Sequence, residues 1–256
     1  MNESIIYEQP VSENIRNILK CEYLYEKYKA SLAQENIWGI KSCVATLLET
    51  SDFLIRINIK IELLKELEKN IIYTKKLIDN DKISLEKYDN YHSKLKHSIQ
   101  ILNDIKSNPS KSVIDNDFLM QIKSKIYIPA GDNFFDMPSY LNFLTSNKSY
   151  ILKNIENWYS PLIPLFKSSK LILDIRRLSE FNTFTSNKSF FQTKIDQNIK
   201  VDLVRIRLLS NLNIYPDVSV NRQNLNIIFK ETYGVNRLSK AIDENINFDL
   251  SLSSIS

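Results

Sequence analysis

Glycine is nearly absent: 256 residues contain Gly39, Gly131 and Gly234 and no others. No loop able to cradle a phosphate on successive backbone N–H groups can be written with so few. Histidine is equally scarce. His92 and His97 lie five residues apart in a polar helical run, a spacing that does not stack them on one helix face. They read as solvated side chains, not metal ligands or catalytic bases. Cys21 and Cys43 sit in helical segments without metal-ligand spacing and read as small buried hydrophobes. No apolar run reaches the roughly 18 residues that suggest a membrane-crossing helix. The opening Met1-Asn2-Glu3-Ser4 has neither the basic stretch nor the apolar run of a secretory leader. A cytoplasmic protein is expected, with no membrane insertion, no cofactor and no metal.

Catalytic patterns are missing too. There is no His-Glu-x-x-His and no Gly-x-Ser-x-Gly. Acid pairs such as Glu62 and Glu66 stand beside Lys65 and Lys69 and read as a solvated, ion-paired helix face. The expectation is a binding protein, not an enzyme.

What is present is size and pattern. The chain is 43% hydrophobic and 25% charged, enough apolar content for a substantial core. Its net charge of +4 falls well short of a nucleic-acid binder's charge stripe. Apolar residues recur at helical spacing along Ile15, Ile18, Leu19, Tyr25, Tyr28 and Leu32, with Ser12-Glu13 as a helix start. Further helical runs cover about 38–55, then Ile59 to Leu67, then about 82–105, ending at Asn108-Pro109-Ser110. The segment 115–128 reads as a short helix or extended link, and Pro138-Ser139 as another helix start. Trp158 to Leu178 reads as one more helix, with Pro161 and Pro164 near its first turn.

After about Phe181 the period becomes two. Val204, Ile206 and Leu208 alternate with Arg205 and Arg207, which are expected to face solvent. Leu225, Ile227 and Phe229 form a second such set, and Ile246, Phe248 and Leu250 a third. Tyr215-Pro216-Asp217 reads as a turn. Helices followed by strands predict an α+β protein, a mainly helical domain joined to a smaller antiparallel β domain. The expected division is 1–116 plus 139–180 helical, 117–138 plus 181–250 β-rich, and 251–256 a frayed tail. Thr145-Ser146-Asn147-Lys148-Ser149 recurs at 185–189, a single echo and not a repeat architecture.

Three blocks in order resemble one known family. The first is Tyr7-Glu8-Gln9-Pro10 with Glu13, Arg16, Leu19, Lys20 and Glu22. The second runs from Arg56 through Lys60-Ile61-Glu62-Leu63-Leu64-Lys65-Glu66-Leu67. The third is the helix breaker Ile128-Pro129-Ala130-Gly131 with Phe135-Asp136-Met137-Pro138, where Asp136 is expected to accept backbone N–H groups. Weaker likeness continues at Trp158, Pro164, Leu173-Asp174, Arg177, Asp202 to Arg205 and Tyr215-Pro216. Together these are similar to the ZapD family of bacterial cell-division factors.

The resemblance implies a helical domain joined to a β-rich domain, a symmetric homodimer, and binding to the C-terminal tail of FtsZ, the bacterial tubulin homologue. It implies that the dimer bundles FtsZ filaments at the mid-cell division site. The implied tail site is a basic cleft between the two domains. Arg56 keeps the family arginine, and Lys20 keeps a family charge without the planar fork. Where the family carries two strand arginines this chain has Asn224 and Ile228, with Arg222 and Lys230 nearby. Lys230 is expected to share a strand face with Asn224 and Ile228. Asp117 and Leu141 stand where relatives carry arginine and histidine. The candidate tail-binding residues are therefore Arg56, Lys20, Arg222, Lys230 and Arg205. A basic nucleic-acid-binding protein is the alternative, on the pI near 8.8 and the Tyr and Phe content.

Overall fold

A computed structural model describes residues 4–196, 200–210, 213–221, 223–231 and 240–255. The chain is α+β, as the patterning predicts. It divides into two compact units, Asn17–Leu173 and Met1–Arg16 with Asp174–Ser256.

The first unit is helical. α1 (Glu13–Leu32) and α2 (Ile37–Arg56) are joined by a tight corner, and Asn36 caps α2 by accepting the Gly39 N–H at 2.8 Å. Gly39 is required there: a Cβ would lie 2.5 Å from the Ser31 carbonyl oxygen. α3 (Ile59–Asp79) and α4 (Leu85–Asp104) pack as a helical hairpin. Its turn passes through Asp81 at φ 55°, a conformation that aspartate tolerates better than most residues. α5 (Lys111–Ile114), α6 (Asp117–Ile126) and α7 (Pro138–Leu144) follow. Pro138 opens α7, where its missing N–H costs nothing. α8 (Lys148–Tyr159) and α9 (Ile163–Arg176) complete the set. Trp158 and Pro164 thus lie on two helices, not one. The chain breaks at 160–162, since Pro161 has no N–H to continue α8 and Pro164 is then placed in the first turn of α9.

The apolar stripe of α2 is buried at Ile40, Val44, Leu47 and Leu48. Tyr28 stacks on Tyr159 with ring centroids 3.7 Å apart, and the Tyr159 hydroxyl donates to the Cys43 carbonyl at 2.8 Å. Burial pushes the Cys21 thiol up to about 12 and the Cys43 thiol to about 11, so both stay protonated at neutral pH.

The breaker at 127–137 is a run of turns within the helical unit. A Cβ on Gly131 would lie 2.4 Å from the Lys125 carbonyl oxygen. Asn133, not Asp136, organises the bend. Its amide donates to the Ala130 carbonyl at 2.6 Å and its oxygen accepts the Asp136 N–H at 2.7 Å. The Asp136 carboxylate instead accepts from the Asn133 amide.

The second unit is a sandwich of two antiparallel sheets. Its strands are β1 (Ser4–Pro10), β2 (Asn182–Thr185), β3 (Phe190–Lys194), β4 (Val201–Leu209), β5 (Ile214–Val220), β6 (Asn224–Glu231), β7 (Lys240–Ala241) and β8 (Asn247–Ser254). One sheet has the order β1-β4-β8-β2, the other β3-β6-β5 with β7 on β6. Val204, Ile206, Phe248 and Leu250 from the first meet Leu225, Ile227 and Phe229 from the second in one core. Phe229 and Phe248 lie 4.9 Å apart, centroid to centroid, and Phe191 meets Phe248 edge-on at 5.0 Å. Phe229 is fully buried, so Phe229→Ala is expected to cost about 3–5 kcal/mol. A urea midpoint equal to wild type would show that the sandwich does not depend on this ring.

Four expectations change here. Tyr7 to Pro10 belongs to β1 and the sandwich, because Ser4–Pro10 pairs along β4 from Leu209 to Leu203. The segment 117–138 belongs with the helices. Tyr215-Pro216-Asp217 is strand, not turn: β5 lies at a sheet edge, where proline's missing N–H can face away from the ladder. Residues 251–254 are not frayed. β8 continues to Ser254 against β4, and Ser251 and Ser253 are buried.

Candidate functional site

In the helical unit the structure brings two expected cations together. Arg56 ends α2, where a positive charge is favoured by the helix dipole. It is exposed and has no carboxylate partner among the described residues. Lys20 is exposed on α1, its ammonium 5.8 Å from the centre of the Phe53 ring. Phe53 precedes Arg56 by three residues, so the two are neighbours on α2. Lys20 therefore reaches the part of α2 that carries Arg56.

The break between α2 and α3 sits over a hollow of about 360 Å³, bordered by Ile55, Ile57, Lys60 and the 105–109 link. The Lys60 ammonium spans it, donating to the Ile105 carbonyl at 2.7 Å. Sequence reasoning missed this hollow, because its walls come from segments some fifty residues apart, too far for any periodicity to relate. Asp117 is an exposed residue in the first turn of α6, and Leu141 is half-buried on α7. Neither supplies positive charge.

In the sandwich unit Arg205 departs from its expected solvent-facing position. It is only 6% exposed. Its Nη1 donates to the Arg177 carbonyl at 2.8 Å, its Nε lies 3.3 Å from the Glu8 carboxylate, and its guanidinium stacks on Phe181 at 4.7 Å. Burial lowers its pKa from the usual value, with Glu8 opposing that shift. The reason is topological. β4 is a central strand whose second face is covered by the segment following α9, so both faces are buried. Arg177 completes the cluster with a two-pronged contact to Glu8, at 2.8 and 2.7 Å. Arg205 is thus committed to holding β1 and β4, and its fork is not presented to a ligand. Arg207 is more open, stacked on Phe181 at 3.9 Å and 3.5 Å from Asp249.

Lys230, Ile228 and Asn224 do lie on one face of β6, opposite buried Leu225, Ile227 and Phe229. Ile228 is 38% exposed. Lys230 pairs across the strands with Asp217, and that hydrogen bond raises its pKa. The pair is exposed, so an incoming carboxylate can compete for the lysine. Arg222 lies outside the described residues.

Each unit thus carries cationic side chains: Arg56 and Lys20 on the helical one, Lys230 and Arg207 on the sandwich. No helix among the described residues is long and apolar enough to cross a membrane. The family profile described as "ZapD: Cell division protein" matches residues 19–228. The chain is 26% identical over 252 residues to "Cell division protein ZapD" of Nitrosomonas europaea, covering 98% of this chain and 95% of that protein. It is 28% identical over 250 residues to the protein of the same name from a Janthinobacterium species, covering 98% and 99%. A profile match across most of the chain, alongside relatives aligned nearly end to end, places this protein in the ZapD family of cell division proteins.

Proposed function

We propose that the protein acts in division as a non-enzymatic, cytoplasmic homodimer that grips the C-terminal tail of FtsZ and cross-links FtsZ filaments at mid-cell. The observation that carries this reading is Arg56: an exposed guanidinium, with no carboxylate partner among the described residues, at the residue where the family resemblance puts its tail-binding arginine. An unpaired arginine can meet a carboxylate with two parallel N–H donors, which a lysine cannot. Lys20 adds charge beside it, and Lys230 adds charge on the sandwich unit.

Bundling follows from valency. A two-fold dimer carries the same tail site twice. On a polymer displaying many tails, a second capture is intramolecular and gains avidity over one site alone. The test is pelleting of FtsZ filaments with the protein present. Full-length FtsZ is expected to carry the protein down and form bundles, and FtsZ lacking its C-terminal tail is expected to do neither. Equal pelleting with the tail-less polymer would overturn tail capture.

A further inference from the structure

The hollow beside Arg56 continues into a second of about 400 Å³, and the two share Ile105, Ser107, Asn108 and Pro109. Together they make a trough where α2 breaks into α3 and where α4 links to α5. Its walls combine two chemistries. Ile55 and Ile57 supply an apolar surface, and Ile55 is 52% exposed despite lying in a helix otherwise buried along one side. Lys60, Lys106 and Lys111 supply positive charge, against Asp115 as the one carboxylate among the described lining residues. Lys106 and Lys111 are exposed and have no carboxylate partner among the described residues. Arg56 lies between the two isoleucines in sequence.

We infer that this trough receives an extended acidic peptide with aliphatic side chains. The aliphatic groups rest on Ile55 and Ile57, and the carboxylates face Lys106 and Lys111. This rests on the tail-capture reading and extends it, adding an apolar subsite and two lysines to the arginine. The charge balance selects an anionic ligand. The described residues of the walls include no aromatic ring, and such rings supply the stacking that retains single-stranded nucleic acid. Each hollow lies toward the small end of ligand pockets, about 300–1,000 Å³, which suits one or two side chains of a peptide lying across it.

Fluorescence anisotropy on the full chain at low salt tests this with four labelled probes: the FtsZ C-terminal tail, a peptide alternating Asp and Leu, one alternating Lys and Leu, and an oligothymidylate. The two acidic probes are expected to bind and the basic one is not. Lys106→Glu with Lys111→Glu should weaken both acidic probes by about tenfold or more. Ile55→Ser should weaken them by about threefold through lost apolar contact. All three positions are exposed, so circular dichroism should be unchanged; the Lys→Gln pair, which reverses no charge, should weaken binding by an intermediate amount. Tail binding that ignores the lysine and isoleucine changes would overturn the trough and leave tail capture standing. Lysine-dependent binding of the Asp-Leu peptide without tail binding would support the trough and overturn tail capture. Failure of both acidic probes, or equal affinity for an oligothymidylate, would overturn the trough.

Discussion

Arg56→Glu is expected to reduce co-sedimentation with FtsZ to the level seen with tail-less FtsZ. The arginine is exposed at the end of α2 and makes no ion pair with a described residue. Its contribution to folding is therefore the last-turn dipole interaction, about 0.3–1 kcal/mol. Its contribution to capture is larger. A charge-assisted hydrogen bond to a carboxylate contributes about 1.5–3 kcal/mol, and glutamate replaces that attraction with repulsion. Binding and stability should separate: bundling disappears while the thermal midpoint stays within a few degrees. Arg56→Lys tests the fork. It keeps the charge and loses the paired N–H geometry, so partial binding is expected. Normal bundling by the glutamate variant would remove Arg56 from the site.

Arg176→Ala is expected to act in the opposite sense, through the fold. Arg176 closes α9 and is completely buried. Its Nη1 donates to the Asp202 carboxylate at 2.9 Å, tying the helix end to central strand β4. Removing the guanidinium leaves the Asp202 carboxylate largely buried without its arginine. Breaking a buried pair in this way costs about 3–5 kcal/mol. Urea unfolding should show the loss as a much lower midpoint. Replacing both partners by apolar residues, as Arg176→Met with Asp202→Leu, should recover most of the stability, since the penalty comes from the orphaned charge. A single variant as stable as wild type would show that this pair does not hold the sandwich together.

The helices were legible because their signal is local. Ile15 and Ile18 lie three apart on the buried side of α1, and Ile40, Val44, Leu47 and Leu48 do the same for α2. Ser12 supplies the expected cap, accepting the Ile15 N–H at 3.3 Å. The β6 alternation was equally plain, since its outer face meets water. β1 was not. Tyr7 to Pro10 stands beside a strong helix start, and only pairing with a strand some two hundred residues away makes it a strand. Pro216 misled in a similar way. A proline in an extended segment signals a turn until the segment is known to lie at a sheet edge.

The candidate site divides along the same line. Arg56 and Lys20 could be named from residue type and resemblance, and the fold leaves both exposed. Arg205 could be named too, yet the fold buries it on Phe181 beside Glu8. Period-two alternation marks which residues share a strand face, but says nothing about what covers that face.

Composition and spacing alone established an α+β chain with its helices ahead of most of its strands, because those properties depend on neighbours a few residues apart. Which arginines meet solvent, where the last strand ends, and the lysine-rimmed trough beside Arg56 came from folding. Each depends on segments distant in sequence becoming adjacent, and burial is a property of that adjacency and not of the residue.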